Sequence, residues 1–177
     1  MGPCKCTGNT TWRNGLVQRV FPTVAAGLLF GMVAAWANPF EDGLAAYNRG
    51  DFADAAKKFR EGAAQGDVHA QTALGNLYGN GKGVRQNYAE SVKWYRLAAV
   101  SGYASAQNAL GFQYATGHGV SQDFIRAFMW FDIASTSGEP LGPQNRDSIA
   151  KQMTAQQIAE AQRWARDCRE RGFKGCD

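Results

Sequence analysis

The stretch Ala70-Gln71-Thr72-Ala73-Leu74-Gly75-Asn76-Leu77-Tyr78-Gly79-Asn80-Gly81-Lys82-Gly83-Val84 decides the fold, because its frame returns further along the chain. Thirty-six residues later stands Ala106-Gln107-Asn108-Ala109-Leu110-Gly111-Phe112-Gln113-Tyr114-Ala115-Thr116-Gly117-His118-Gly119-Val120. Gly66, Gly102 and Gly138 keep the same step of 36, Trp94-Tyr95 matches Trp130-Phe131, and Ala98 matches Ala134. Self-similarity at one fixed period of this length is the signature of a stacked repeat rather than of a single closed core.

Each repeat reads as two antiparallel helices. In Ala70-x-x-x-Leu74-x-x-x-Tyr78 the apolar residues recur at helical spacing, and Gly75 leaves room for a second helix to approach. The glycine-rich run Gly79 to Gly83 ends that helix and turns the chain. Asn87 and Asp123 are suited to cap the second helices, along which Val92, Tyr95 and Ala99, or Phe128, Phe131 and Ser135, supply an inner face. Gly66, Gly102 and Gly138 close the units.

The run Ala70-x-x-x-Leu74-Gly75-x-x-Tyr78-x-x-Gly81-x-Gly83-Val84, followed by Ala89, Trp94-Tyr95 and Ala98-Ala99, resembles the Sel-one-like repeat, a relative of the tetratricopeptide repeat. Residues 68–102 form one such unit and 103–138 a second. Departures are conservative: Phe131 and Ser135 stand where the family favours Tyr and Ala, and Asn87 and Ser91 where it favours Asp and Ala. The resemblance implies an all-α, right-handed α-solenoid of antiparallel helix pairs. It also implies a protein-binding role, since similar proteins regulate or scaffold envelope proteins such as signalling receptors and polysaccharide export systems. Some cysteine-rich members are associated with binding or hydrolysing β-lactams, which makes a cell-wall-directed binding protein or hydrolase the alternative. Those members carry a cysteine pair in nearly every repeat, and this pattern is missing here.

Outward from the two units, residues 38–67 read as a shortened, tetratricopeptide-like unit. Asp51-Phe52 and Phe59 align with Asn87-Tyr88 and Tyr95, but the long loop between the helices is gone. Asn38-Pro39-Phe40-Glu41 is suited to start a helix, with Pro in the first turn. Residues 139–177 leave the repeat: a short helix is expected over Asn145 to Met153. Thr154-Ala155-Gln156-Gln157 then reads as a capping box opening a last helix to about Arg171. Ile158, Ala161, Trp164, Ala165 and Cys168 share one face of it, with Arg163, Arg166 and Arg169 outside. A solenoid end otherwise exposes its last apolar face, so this helix is expected to act as a cap.

Charge is unevenly placed. Lys5, Arg13 and Arg19 fall in the first 37 residues with no acid, which leaves 16 basic residues against 15 acidic ones downstream. No concentrated basic face remains, so nucleic acid is excluded as a partner. Arg13 and Arg19, then apolar Val20 to Ala35, then Ala35-Trp36-Ala37, reproduce the order of an export signal with cleavage after Ala37. Residues 1–37 are therefore expected to be a signal peptide with an upstream extension, carrying Cys4 and Cys6. The protein is expected to be periplasmic or secreted, with no membrane insertion after cleavage. A retained signal anchor is the alternative, since the apolar run nearly spans a bilayer. Cys168 and Cys176, the two cysteines beyond the leader, are expected to form one disulfide in such a compartment.

Catalytic chemistry is poorly represented. His69 and His118 sit in different parts of different units, without the partners that a nucleophile–base pair or a zinc site requires. Gly79-Asn80-Gly81-Lys82-Gly83 is not a phosphate loop, because helices flank it and Val84, not Ser or Thr, follows. Asp51, Asp54, Asp67, Asp123 and Asp147 lie mostly at helix starts, where capping accounts for them. No cofactor, metal or catalytic residue is expected. First helices line the inner curve of related solenoids, which makes Gln71, Asn76, Gln107 and Phe112 the candidate contacts for a protein or peptide. Phe112, which replaces Asn76 of the preceding unit, would be a natural anchor if partly exposed there; loose core packing is the alternative and the preferred reading of it.

Overall fold

A computed structural model describes residues 38–176; the expected export signal, its expected cleavage point and Cys4 and Cys6 lie outside them. Among the described residues, every regular element is helical. They run α1 (Pro39–Asn48), α2 (Phe52–Ala64), α3 (Val68–Asn80), α4 (Tyr88–Val100), α5 (Ala104–Thr116), α6 (Phe124–Thr136), α7 (Gly142–Ala150) and α8 (Ala155–Glu170). Packing follows chain order: α1 on α2, α3 on α4 and α5 on α6 within pairs, and α2 on α3 and α4 on α5 between them. This is the nearest-neighbour stacking of an all-α solenoid. No described helix is long and apolar enough to cross a membrane.

The helices start where short polar side chains can satisfy the free N–H groups of the first turn. Asn38, Asp51, Asp67, Asn87 and Asp123 each accept from such a group, and Thr154 and Gln157 complete a reciprocal capping box. Gly66, Gly102 and Gly138 stand one residue past the caps Gln65, Ser101 and Ser137, where the left-handed backbone (φ 87°, 86° and 92°) reverses the chain into the next unit.

Within a pair, Gly75 and Gly111 set the distance. A Cβ on Gly75 would lie 2.7 Å from the Tyr95 ring, and one on Gly111 2.8 Å from the Phe131 ring. The aromatic of the second helix thus rests on bare backbone of the first. Ser91 Oγ donates to the Gly75 carbonyl at 2.8 Å from within the same contact. The core is Ala-rich between units and large within them, with Phe59, Leu74, Leu77, Leu110, Met129, Trp130 and Ile133 all buried.

The C-terminal part departs from expectation in three places. The short helix runs from Gly142 to Ala150, not from Asn145 to Met153, because Pro143 sits in its first turn and Gly142 packs directly on the backbone of Ser135. Trp164 is only half-buried, so Ala161, Ala165 and Cys168 form the sealed face of α8 against α6. Arg169 is not free of the cap: its Nη1 meets Asp132 Oδ2 at 3.1 Å, and Arg146 Nη1 meets Asp132 Oδ1 at 3.3 Å. One α6 carboxylate therefore holds both terminal helices. The guanidinium of Arg146 is pushed above its ordinary pKa by hydrogen bonding to Asp147 and, further, by Asp132. Cys168 and Cys176 are joined, with Cα atoms 5.4 Å apart, which fastens the tail beneath α8.

Candidate protein-binding groove

The first helices of the units present their outward positions to one continuous depression. Between α1 and α3 lies a small cleft of about 170 Å³ on Leu44, Tyr47, Phe59, Ala73 and Asn76. Asn76 also borders a larger cleft of about 480 Å³ between α3 and α5, whose far wall is Phe112. Phe112 in turn borders a third cleft of about 270 Å³, which extends to Asn145, Ser148 and Gln152 at α7. Shared residues thus join the three into a groove that crosses α1, α3, α5 and α7.

The lining is poor in charge, with His118 in the central cleft and Lys82 Nζ 3.2 Å from Tyr47 Oη beside the first. None of the residues around these three clefts is Asp, Glu, Lys or Arg, whereas clefts elsewhere contain Arg126, Asp167 and Arg171, or Arg85 and Glu90. In place of charges the groove holds carboxamides: Asn76, Asn80, Gln86, Asn108 and Gln113 in the central cleft, and Gln122, Asn145 and Gln152 in the third.

Several of these are fixed by the fold. Tyr95 Oη donates to Asn76 Oδ1 at 2.6 Å, and Asn145 Nδ2 donates to Asn108 Oδ1 at 2.8 Å. Burial pushes the Tyr95 hydroxyl above its ordinary pKa. Gln86 and Gln122 occupy equivalent positions and close their loops by donating to the Gly79 and Ala115 carbonyls, each at 2.8 Å. His118 stacks on Tyr88 with ring centres 4.5 Å apart.

Of the residues named from sequence, Asn76 and Phe112 are in the groove, and Phe112 is 52% exposed. Gln71 and Gln107 are not. They are 6% and 0% exposed, and their Nε2 groups donate to the Ala63 and Ala99 carbonyls at the end of the preceding pair. These glutamines tie unit to unit and cannot touch a partner. Helical spacing places them on the right side of the helix but says nothing of depth.

Gln113 also lines the central cleft, and the repeat register marks it. It occupies the place of Leu77, which is buried in the preceding unit, and a polar residue in an apolar slot is a signal. Its Oε1 is buried without a hydrogen-bond partner among the described residues. No group of three or more His, Cys, Asp or Glu able to hold a metal ion occurs among those residues.

Residues 68–103 and 104–139 match the Sel1 repeat. No curated protein matches the sequence significantly. Among solved structures, a Sel1 repeat protein from Oxalobacter formigenes is 37% identical with a TM-score of 0.54, covering 56% of this chain and 79% of its own. A protective antigen present in uropathogenic Escherichia coli strains, which displays an SLR fold, is 33% identical with a TM-score of 0.73 over 78% of this chain. The match spans only 30% of the antigen's length. Sel1 repeats generally mediate contacts between proteins rather than catalysis. On its two repeat units, its helix-pair stacking and its likeness to these structures, the chain belongs to the Sel1 repeat family.

Proposed function

We propose that the protein is a non-catalytic scaffold of the bacterial envelope that holds a segment of a partner protein on the concave face of its repeats. The observation that carries this reading is the groove itself: α1, α3, α5 and α7 border one trough lined without Asp, Glu, Lys or Arg, with an exposed aromatic, Phe112, at its centre. Exposed aromatics flanked by polar groups are the usual anchors of protein interfaces. The Cys168–Cys176 bridge suits an oxidising compartment, as does the leader-like order of residues 13–37.

Affinity capture from periplasmic extract tests the reading. The wild-type protein is expected to retain a defined partner, and Phe112→Asn, which copies Asn76 of the preceding unit and so preserves the fold, to lose at least about tenfold in affinity. Equal capture by both proteins defeats the assignment of the binding face. Absence of any captured protein defeats the scaffold reading.

A further inference from the structure

We propose that the groove is a reader of uncharged, extended peptide: a stretch without Asp, Glu, Lys or Arg, carrying one apolar side chain that seats beside Phe112. This deepens the scaffold reading and rests on it. The absence of charge is the first argument. In the central and third clefts a charged side chain meets no Asp, Glu, Lys or Arg to pair with, so the lining there favours neutral residues; Lys82, whose Nζ is 3.2 Å from Tyr47 Oη, borders the first cleft alone.

The second argument is the form of the polar groups. A carboxamide presents a donor pair and an acceptor side by side, and so does a peptide unit. First helices of adjacent units stand roughly 10 Å apart, and an extended chain advances about 3.3 Å per residue, so each helix serves about three residues. With Asn76 Oδ1 already accepting from Tyr95 and Asn108 Oδ1 from Asn145, the remaining donors and lone pairs of Asn76 on α3, Asn108 on α5 and Asn145 on α7 then meet a strand of roughly nine residues, whose side chains alternate between groove and solvent.

Gln113 supplies the third. It is 7% exposed, lines the central cleft beside Phe112, and keeps a buried carbonyl with no donor among the described residues. The same unmet Oε1 occurs at Gln71 and Gln107, and none of the three atoms is open to solvent, so Gln113 contributes by lining the cleft rather than through an acceptor that a peptide reaches directly. The preceding unit carries Leu77 at this place, so packing alone does not require an amide there. A neutral glycan fits less well. Its rings would stack on open aromatic faces, and although Phe112 offers one, Tyr88 in this cleft is already covered by His118.

The test is selection from a random nonapeptide phage library on the purified full chain, followed by calorimetric titration of the enriched peptides, acetylated and amidated. Three variants accompany the wild type: Phe112→Asn and Gln113→Leu, which copy the preceding unit, and Asn76→Asp, which adds a negative charge. Thermal melts confirm that each is folded. Enriched peptides are expected to be depleted of Asp, Glu, Lys and Arg and to share one aromatic or aliphatic position. Their binding is expected to weaken about tenfold in Phe112→Asn and in Gln113→Leu. Selection on Asn76→Asp is expected to shift toward Lys and Arg. Charged peptides selected by the wild type, yet weakened by Phe112→Asn, overturn the neutral reader and leave the scaffold reading standing. Peptides indifferent to all three variants overturn both the reader and its location. No enrichment, with a neutral N-acetylglucosamine oligomer bound instead, overturns the reader and the scaffold reading together.

Discussion

Trp130 and Trp164 are both large and aromatic, but the fold uses them differently. Trp130 is fully buried at the centre of α6, between the last repeat and the cap. Trp164 lies half-exposed at the rim of α8, with the Arg126 guanidinium 5.6 Å above its ring. Trp130→Ala is therefore expected to cost about 3–5 kcal/mol. Trp164→Ala removes partial burial and one cation–π contact and is expected to cost only about 1–2 kcal/mol. Urea or thermal unfolding of the two variants checks the order, and an equal or reversed cost contradicts it. Helical spacing along α8 puts Trp164 on the capping face correctly, but its neighbours Ala161 and Ala165 approach α6 so closely that the bulky ring is left at the edge. Gln71 and Gln107 show the converse. Their type suggests the surface, yet the carbonyls at the end of each preceding pair draw them inside.

Among the elements, the loops that join first to second helices carry the most specific requirement. Gly83 and Gly119 have left-handed backbone (φ 68° and 74°), and a Cβ on either would fall on the main chain of the preceding unit, at the Phe52 and Tyr88 carbonyls. Gly138 has the same handedness but open space around it. Gly138→Ala is expected to cost about 1–2 kcal/mol, the conformational penalty alone. Gly119→Ala adds a collision with backbone that cannot rotate away and is expected to cost about 1–3 kcal/mol more. Comparing unfolding midpoints of the two variants decides this; a Gly119→Ala protein as stable as Gly138→Ala would mean that the loop does not lock onto its neighbour. The helices themselves were largely legible, since Asn87, Asp123 and the Thr154–Gln157 box announce their starts. Only α7 was misplaced, because its cap Leu141 contributes no side-chain hydrogen bond to read.

At the scale of the molecule, a repeat period identified the architecture without any contact being known, because each unit meets only its neighbours. The groove was a different matter. Its lining is drawn from Leu44 to Gln152, through the first helices α1, α3 and α5, through α7 and through single faces of α2, α4 and α6, and its lack of Asp, Glu, Lys and Arg emerges only when those residues are brought together. Asn76 and Phe112 were visible as a substitution between units; Gln113 sits one residue from Phe112 and carries the same kind of mark. The central claim is that this groove holds the partner. Site-specific photo-crosslinking in the producing cell addresses it most directly, with benzoylphenylalanine placed at position 112 in the groove and, separately, at 97. Leu97 is also an exposed apolar residue, 42% exposed, but lies on α4 outside the groove. The account predicts a discrete covalent adduct from position 112 and none from 97. An adduct from position 97 with none from 112 would contradict it.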